Sequence, residues 1–178
     1  MPTIFSHPVP MLALGVALGR RRVSPRLLLA IAFFAVAPDL DGIGFYLGVP
    51  YASWLGHRGF SHSIVFALLC GLFGAGLAPW LRASRLWAGG LAFLAVASHI
   101  ALDALTSGGL GVAVLWPFSE ARYFFPWRPI QVSPMNPARL FSERGLAVFY
   151  SECILIWLPS LALVLVSRAL RFWGRRKP

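Results

Sequence analysis

Carboxylates are scarce in this sequence, since only 6 of its 178 residues are Asp or Glu, against 16 that are Lys or Arg. Cysteine is scarcer still: Cys70 and Cys153 are the only two, and both lie inside apolar runs. This excludes a disulfide framework and a zinc ribbon built from cysteine pairs. The N-terminus lacks a basic stretch followed by a small-residue cleavage site, so we expect no cleaved signal peptide.

Hydrophobic residues are abundant instead, at 58% of the chain with a mean hydropathy of +0.71. Soluble domains are about 45–50% apolar, so this composition predicts a membrane protein. The length suits a single domain over residues 1–178. The net charge of +10 comes from arginines placed between and after the apolar runs, as membrane anchoring requires. We therefore do not expect nucleic acid to be a partner, although a basic, aromatic single-strand-binding patch is the alternative.

Five apolar runs indicate membrane helices, at residues 8–19, 27–37, 64–81, 86–105 and 146–166. The first two are short for a full span, which takes about 20 residues. Residues 38–42 (Pro-Asp-Leu-Asp-Gly) predict a helix stop and turn, and the aromatic residues 44–55 predict an interfacial segment. Residues 106–144 predict a long surface loop or lid. The fold class is therefore all-α: an integral membrane bundle of about five transmembrane helices with a long interfacial loop.

The basic residues divide unequally between the two ends of this bundle. One end has eleven, at positions 20, 21, 22, 26, 82, 85, 168, 171, 175, 176 and 177, and the other has five, at positions 58, 122, 128, 139 and 144. Cytoplasmic loops carry the excess of Lys and Arg, so the first end should be cytoplasmic, with the N-terminus outside and the C-terminus inside.

The histidines and most of the carboxylates fall at the opposite, extracytoplasmic end of the predicted helices. They are His7, Asp39, Asp41, His57, His62, His99, Asp103 and Glu152. Unrelated structural polar residues would have no reason to share one end. The sequence therefore predicts one site at that face of the membrane.

This residue set predicts a divalent-metal site. His99 and Asp103 are four residues apart, so a helix would point both in the same direction, and Asp39 and Asp41 can reach one centre from a turn. Histidine with carboxylate suits zinc first, then manganese or iron. Seven or eight ligands exceed the needs of one ion, so we expect two. The alternatives for each pair are a buried His–Asp hydrogen bond and ordinary turn chemistry.

Residues 57–63 (His-Arg-Gly-Phe-Ser-His-Ser) concentrate polar groups just before an apolar run. Arg58 could bind a substrate phosphate, or be a surface arginine at the headgroups. Ser61 and Ser63 are predicted to be helix caps rather than nucleophiles. Glu152 is the only carboxylate inside an apolar run, which makes it a functional candidate. The aromatic residues of the long loop, at positions 116, 118, 124, 125 and 127, predict an interfacial belt or a lid over the site.

These motifs together resemble those of the YdjM-like family of bacterial membrane-bound metal-dependent hydrolases. The matching elements are His7, residues 38–41, residues 57–63, Ser98-His99 with Asp103, residues 115–118 and Ser151-Glu152. The resemblance covers nearly the whole chain, and its one mild departure is Ser61, where the family usually has Thr. It implies a multi-pass protein of the bacterial inner membrane with hydrolase activity. In the style of its motifs, the family is distantly similar to the zinc-dependent phospholipase C and single-strand nuclease group.

We therefore expect a metal-dependent hydrolase that uses metal-activated water on a phosphoester of a lipid or lipid-linked substrate. His7, Asp39, Asp41, His57, His62, His99 and Asp103 would hold metal. Glu152 would be a ligand or the general base, and Arg58 would stabilise charge on the phosphate. A divalent-metal transporter or sensor could use the same cluster, and a structural protein with a stabilising metal is a third reading. The apolar cytoplasmic halves of the predicted helices favour the enzyme over the transporter.

Overall fold

The computed structural model describes residues 1–134 and 141–174, and this part of the chain is helical with no β-strand. Its α-helices are α1 (Val9–Leu18), α2 (Pro25–Val36), α3 (Ile43–Tyr46), α4 (Ile64–Gly76), α5 (Ala78–Leu81), α6 (Arg85–Ala104), α7 (Glu143–Glu152) and α8 (Leu158–Gly174). Short 3₁₀ segments cover Ala37–Gly42 and Phe60–His62, and a π-helical segment, Cys153–Trp157, joins α7 to α8. The all-α prediction is confirmed.

Three helical segments are long and apolar enough to cross a membrane: Pro25–Tyr46, Arg85–Ala104 and Glu143–Gly174, with 22, 20 and 32 residues. The helices α1 and α4 are apolar but shorter. A membrane helical bundle is therefore confirmed, while its number of full spans stays a prediction. The predicted helix stop is confirmed, because α2 ends at Val36, but a 3₁₀ segment followed by α3 replaces the predicted turn at residues 38–42. Pro38 occupies the first turn of that segment, where its missing N–H costs no hydrogen bond.

Serine side chains fix where several helices begin. Ser24, Ser63 and Ser84 each accept a hydrogen bond from the backbone N–H three residues later, at 3.1–3.2 Å. Such caps satisfy N–H groups that the helix itself leaves unpaired. The predicted cap at Ser63 is confirmed, and it places His62 immediately before α4.

Close packing of α4 against α6 sets the positions of the site residues. A Cβ added to Gly74 would lie 2.7 Å from the Cβ of Ala92, and one added to Gly89 would lie 2.9 Å from the carbonyl oxygen of Gly71. Small residues let helix backbones approach in this way. The helix α2 packs on the same helix α6 through buried residues such as Ile31.

The helix α6 separates two chemically different ends of the molecule. Arg85 begins it and Asp103 lies near its last turn, a separation of about 27 Å at 1.5 Å per residue. The arginines after α1, before α6 and late in α8 line clefts at the first end. Four of the basic residues used to predict the orientation, at positions 139, 175, 176 and 177, lie outside the described residues.

The described part of the long loop after α6 folds back over the other end. Its backbone pairs with itself through Val112 and Tyr123, whose N–H and C=O groups exchange hydrogen bonds of 2.9 and 3.0 Å. Phe118 and Trp127 are exposed, as an interfacial belt requires. The predicted long loop is confirmed within this range.

Candidate metal centre

Four candidate ligands from three segments meet in the interior. They are Asp39 from the 3₁₀ segment after α2, His62 from the segment before α4, and His99 and Asp103 from α6. One donor atom from each lies within 4.8 Å of all the others, and the three residues His62, His99 and Asp103 are fully buried. The structure therefore contains a His/Asp group that could hold a metal ion, as the sequence predicts.

The two histidines of this group point their Nε2 atoms at each other, 3.1 Å apart. Nδ1 of His99 lies 2.8 Å from the carbonyl oxygen of Ala35, which can only accept, so this nitrogen carries a hydrogen. Nδ1 of His62 lies 2.9 Å from the oxygen of Ser61, whose hydroxyl donates to Asp41, and 3.2 Å from the Asp41 carboxylate, so this nitrogen also carries a hydrogen. Two neutral rings held like this would bring two lone pairs together. A positive charge, either a proton or a metal ion, must therefore lie between them.

The protonation of His62 shows what an ion would have to replace. Burial disfavours the charged form of His62, but contacts with the Asp103 and Asp41 carboxylates raise its pKa to about 9. Without an ion, a proton on His62 therefore bridges the gap to His99. A divalent ion that binds there would displace that proton, as metals do at histidine ligands. Nitrogen ligands of a tetrahedral zinc ion are about 3.3 Å apart, close to the distance observed here.

A proton on His62 leaves other buried atoms unsatisfied. Both carboxylate oxygens of Asp39 and both of Asp103 lack a hydrogen-bond donor within the described part of the chain. The nearest His99 nitrogen is 3.5 Å from Asp39, and Nε of Arg58 forms a 2.9 Å ion pair with Asp103 without the direction of a hydrogen bond. Buried carboxylates are rarely left in this state. A divalent cation would satisfy them, so these residues fit the group that the sequence predicts.

His7 lies next to this group, without belonging to the set of four whose donor atoms are all within 4.8 Å of one another. Its Nε2 lies 3.7 Å from Asp39 and 3.6 Å from Asp103, and its ring stacks on His99 with centroids 3.7 Å apart. Burial, together with the neighbouring His99, lowers the pKa of His7 to about 3. The ring is therefore neutral, and neither of its nitrogens has a hydrogen-bond partner among the described residues. A neutral imidazole with a free lone pair is the form that binds metal.

Asp41 and His57 lie beside this group rather than in it. Nδ1 of His57 is 2.7 Å from one oxygen of Asp41, and the other oxygen faces His62 and accepts from the Ser61 hydroxyl. The backbone N–H of Arg58 also donates to Asp41, at 3.1 Å. Asp41, His57 and His62 form a second group close enough to hold an ion. Their short hydrogen bonds instead suit an orienting role. Ser61 is not a helix cap, which corrects the sequence-based prediction.

Arg58 is fully buried, with its guanidinium directed into the protein. It forms the ion pair with Asp103, donates to the carbonyls of Gly108 (3.2 Å) and Leu110 (2.7 Å), and donates to the Thr106 hydroxyl (2.9 Å). Its φ of +66° is unusual for a residue with a side chain. These bonds fix the loop that leaves α6 and hold Asp103 in place. The predicted contact of Arg58 with substrate stays untested.

Glu152 is also fully buried, but it lies outside both groups of candidate ligands among the described residues. Its carboxylate accepts hydrogen bonds from the Thr3 hydroxyl (2.6 Å), the Thr3 backbone N–H and the Ser6 hydroxyl (2.6 Å). Ser6 in turn accepts from the indole N–H of Trp157 at 2.8 Å. The π-helical segment begins directly after Glu152, a feature frequent at functional sites. Glu152 thus ties down the segment that carries His7.

Several of these partners could not be recognised from the sequence. The Ala35 carbonyl that orients His99 is a backbone atom without any residue signature. Thr3 and Ser6 meet Glu152 across nearly 150 residues, a pairing that no local pattern reveals. Thr106 is the one of these partners that the sequence could have suggested, because it lies only three residues after Asp103. In the structure its hydroxyl donates to the Asp103 carbonyl at 2.7 Å.

An apolar cavity of about 630 Å³ reaches this centre from outside the bundle. Asp39 and His57 are among its polar lining residues, and Phe45 and Tyr46 of α3 are among its apolar ones. Tyr46 is 90% exposed, so the rim of the cavity presents aromatic surface to its surroundings. The cavity gives a ligand access to the Asp39 carboxylate, at the edge of the centre.

Apolar helices of membrane-spanning length around a buried His/Asp centre define a helical membrane protein with a candidate metal site. The chain belongs to the family described as YdjM inner membrane protein, which it matches over residues 1–176. It is 41% identical over 184 residues to "Inner membrane protein YbcI" of Escherichia coli (strain K12), with 99% of this chain and 100% of that relative covered. No solved structure matches the chain significantly. The family resemblance read from the sequence motifs is thereby confirmed.

Proposed function

We propose that this protein is a divalent-cation-dependent hydrolase that acts on a phosphoester of a lipid or lipid-linked substrate. One observation carries the proposal: His62 and His99 present facing nitrogens beside the two buried carboxylates of Asp39 and Asp103. Within the described residues the oxygens of these carboxylates accept no well-directed hydrogen bond, although Arg58 forms an ion pair with Asp103. Such a set is costly to bury without a cation. The description of the family as an inner membrane protein fits a substrate that resides in the bilayer.

His62, His99, Asp39 and Asp103 would hold the cation, and His7 would complete the set. Mixed histidine and carboxylate donors suit zinc first and manganese or iron next. When bound, such an ion supplies Lewis acidity, which polarises a phosphoryl oxygen and favours attack by water near neutral pH. The hydrogen bonds within the second group favour one ion over the two expected from the number of ligands.

We assign proton transfer to His57. Its Nδ1 is occupied by Asp41 at 2.7 Å, which leaves Nε2 to accept or donate a proton, and its ring lines the cavity beside Asp39. A histidine oriented by a carboxylate is a common general acid–base arrangement. Glu152, the sequence-based candidate for the base, has its carboxylate occupied by three donors. We therefore propose that Glu152 positions His7, and that Arg58 positions Asp103.

The cavity supports an amphiphilic substrate. Its walls include the exposed apolar residues Leu40, Ile43 and Phe45, while Asp39 and His57 are polar groups in the same lining. This wall belongs to the end of the span Pro25–Tyr46, the depth at which lipid headgroups lie. An acyl or isoprenyl chain could contact the walls while a phosphoester reaches the centre.

The rival function, transport or sensing of a divalent metal, needs a path to the other end of the bundle. From the centre towards the arginine-rich end, the interior between α2 and α6 is filled by buried apolar residues, including Ile31, Ala92, Ala95 and Val96. No polar side chain continues the line of ligands there within the described residues. The site is therefore open to one end only, as a hydrolase requires.

A substrate assay tests the proposal. Purified protein supplied with zinc or manganese should release product from a lipid phosphoester, and a soluble phosphodiester serves as the comparison substrate. His99→Gln should abolish turnover together with metal binding, while Glu120→Gln, a change on an exposed loop carboxylate, should leave both intact. If the metal-loaded wild type cleaves neither substrate, and proteoliposomes take up divalent ions in a His99-dependent manner, the transporter reading replaces this one.

A further inference from the structure

A second cleft opens at the arginine-rich end of the molecule, far from the candidate metal centre. It has a volume of about 780 Å³ and lies between α1 and α8. Four arginines line it: Arg20, Arg21, Arg168 and Arg171. The remaining lining is largely apolar and includes Val16 and Leu28. The cleft thus combines several guanidinium groups with an apolar wall.

The sequence offers no carboxylate close to these arginines to balance the positive charge of the cleft. The sequence contains no carboxylate before Asp39, between Asp41 and Asp103, or after Glu152. Of the ion pairs formed within residues 1–134 and 141–174, the one that involves an arginine is Arg58 with Asp103, at the opposite end. Guanidinium groups gathered without carboxylates repel one another unless an external anion compensates them.

The arginines of the cleft differ in how free they are. The guanidinium of Arg171 donates to the carbonyl oxygen of Ala17 in the last turn of α1 and contacts the Ser167 hydroxyl at 3.4 Å. It therefore joins α8 to α1 and shapes the cleft. Arg20 and Arg168 are exposed, and neither forms an ion pair within the described chain.

We propose that this cleft binds a phosphate group, through Arg20, Arg21 and Arg168. Arginine is suited to phosphate because its planar fork can donate two parallel hydrogen bonds. The apolar wall and the place of the cleft at the end of the spans suit the phosphate of an anionic phospholipid, whose acyl chains would lie along Val16 and Leu28. A soluble phosphate compound carries the same group without the chains. The site is independent of the proposed hydrolase.

Thermal unfolding of the purified full-length chain in detergent provides the test. The probes are phosphatidylglycerol, phosphatidylcholine with the same acyl chains, and glycerol 3-phosphate. At tenfold excess over its dissociation constant, phosphatidylglycerol should raise Tm by about 3–6 °C, and phosphatidylcholine by much less. The double variant Arg20→Gln/Arg168→Gln should lose this rise. Both residues are exposed, so the variant should fold.

A matched control separates the cleft from general electrostatic attraction. Arg82→Gln/Arg85→Gln removes the same charge at the same end but lies outside this cleft, so its response to phosphatidylglycerol should match the wild type. If glycerol 3-phosphate gives the same cleft-dependent rise, the ligand is a soluble phosphate compound rather than a lipid. The proposal is overturned if the cleft variant keeps the full rise, if the control loses it equally, or if no probe differs from phosphatidylcholine.

Discussion

Replacing Asp103 by Asn tests the metal centre most directly. Asp103 is fully buried and faces three groups: His7 at 3.6 Å, His62 at 3.3 Å and Nε of Arg58 at 2.9 Å. Asp103→Asn keeps the shape of the side chain but removes the charge that would hold a cation. We expect the purified wild type to contain a divalent ion and the purified variant to lack it.

The expected loss of stability has two parts that can be separated. An ion at 100 times its dissociation constant stabilises the folded protein by about 2.7 kcal/mol, which corresponds to about 5–11 °C in Tm for a chain of this size. The second part is the buried guanidinium of Arg58, whose loss of a partner costs about 3–5 kcal/mol. The first part depends on metal, and the second does not.

A chelator distinguishes these two contributions. Tm is measured for wild type and Asp103→Asn, each with added zinc and with excess chelator, and metal content is measured in parallel. The chelator should lower Tm of the wild type by about 5–11 °C and leave that of the variant unchanged. Glu120→Gln, the same chemical change on an exposed carboxylate, should respond as the wild type does. Equal chelator responses in wild type and Asp103→Asn, or none in either, would refute the ligand assignment.

Substitutions of the other site residues distinguish a role in catalysis from a role in positioning a neighbouring group. His57→Asn should keep the metal while turnover falls by about 10²–10⁴-fold, and an unchanged rate would remove His57 from proton transfer. Glu152→Gln should lower Tm by several degrees, because hydrogen bonds to a charged group contribute about 1.5–3 kcal/mol each, and should change turnover little. A large loss of rate without a change in Tm would instead support Glu152 as the general base. Arg58→Lys should destabilise the protein in zinc and in chelator alike, because Lys cannot reach Asp103, Thr106 and two carbonyls together. A purely kinetic defect would instead favour contact with substrate.

The sequence predicted the helices best where composition alone decides them. The fourth apolar run, residues 86–105, differs by one residue at each end from α6, because Ser84 caps the start and the run has no polar side chain before Ser98. The gathering of ligands followed from the same logic. Once five apolar runs alternate in direction, residues at their outer ends must share one end of the bundle.

The roles of individual polar residues were harder to predict, since they depend on contacts between distant parts of the chain. Nothing near Glu152 in the sequence distinguishes a carboxylate facing a metal from one that binds Thr3 and Ser6. Arg58 looked like a residue for substrate because it adjoins His57, but its positive φ turns the side chain inward, towards Asp103. Position along the chain identified the site, whereas the direction of each side chain required the structure.

The orientation of the protein is a prediction that the separation of its charges makes testable. Arg85 at one end of α6 and the candidate ligand Asp103 at the other are about 27 Å apart, close to the thickness of a bilayer core. The excess of arginine should hold its end in the cytoplasm, which places the metal centre outside. In a chain without Cys70 and Cys153, Ala121→Cys on the exposed loop should react with an impermeant maleimide added to intact cells. Arg85→Cys, equally exposed, should react only after permeabilisation. The reverse labelling pattern would invert the topology and place the proposed hydrolase in contact with cytoplasmic substrates.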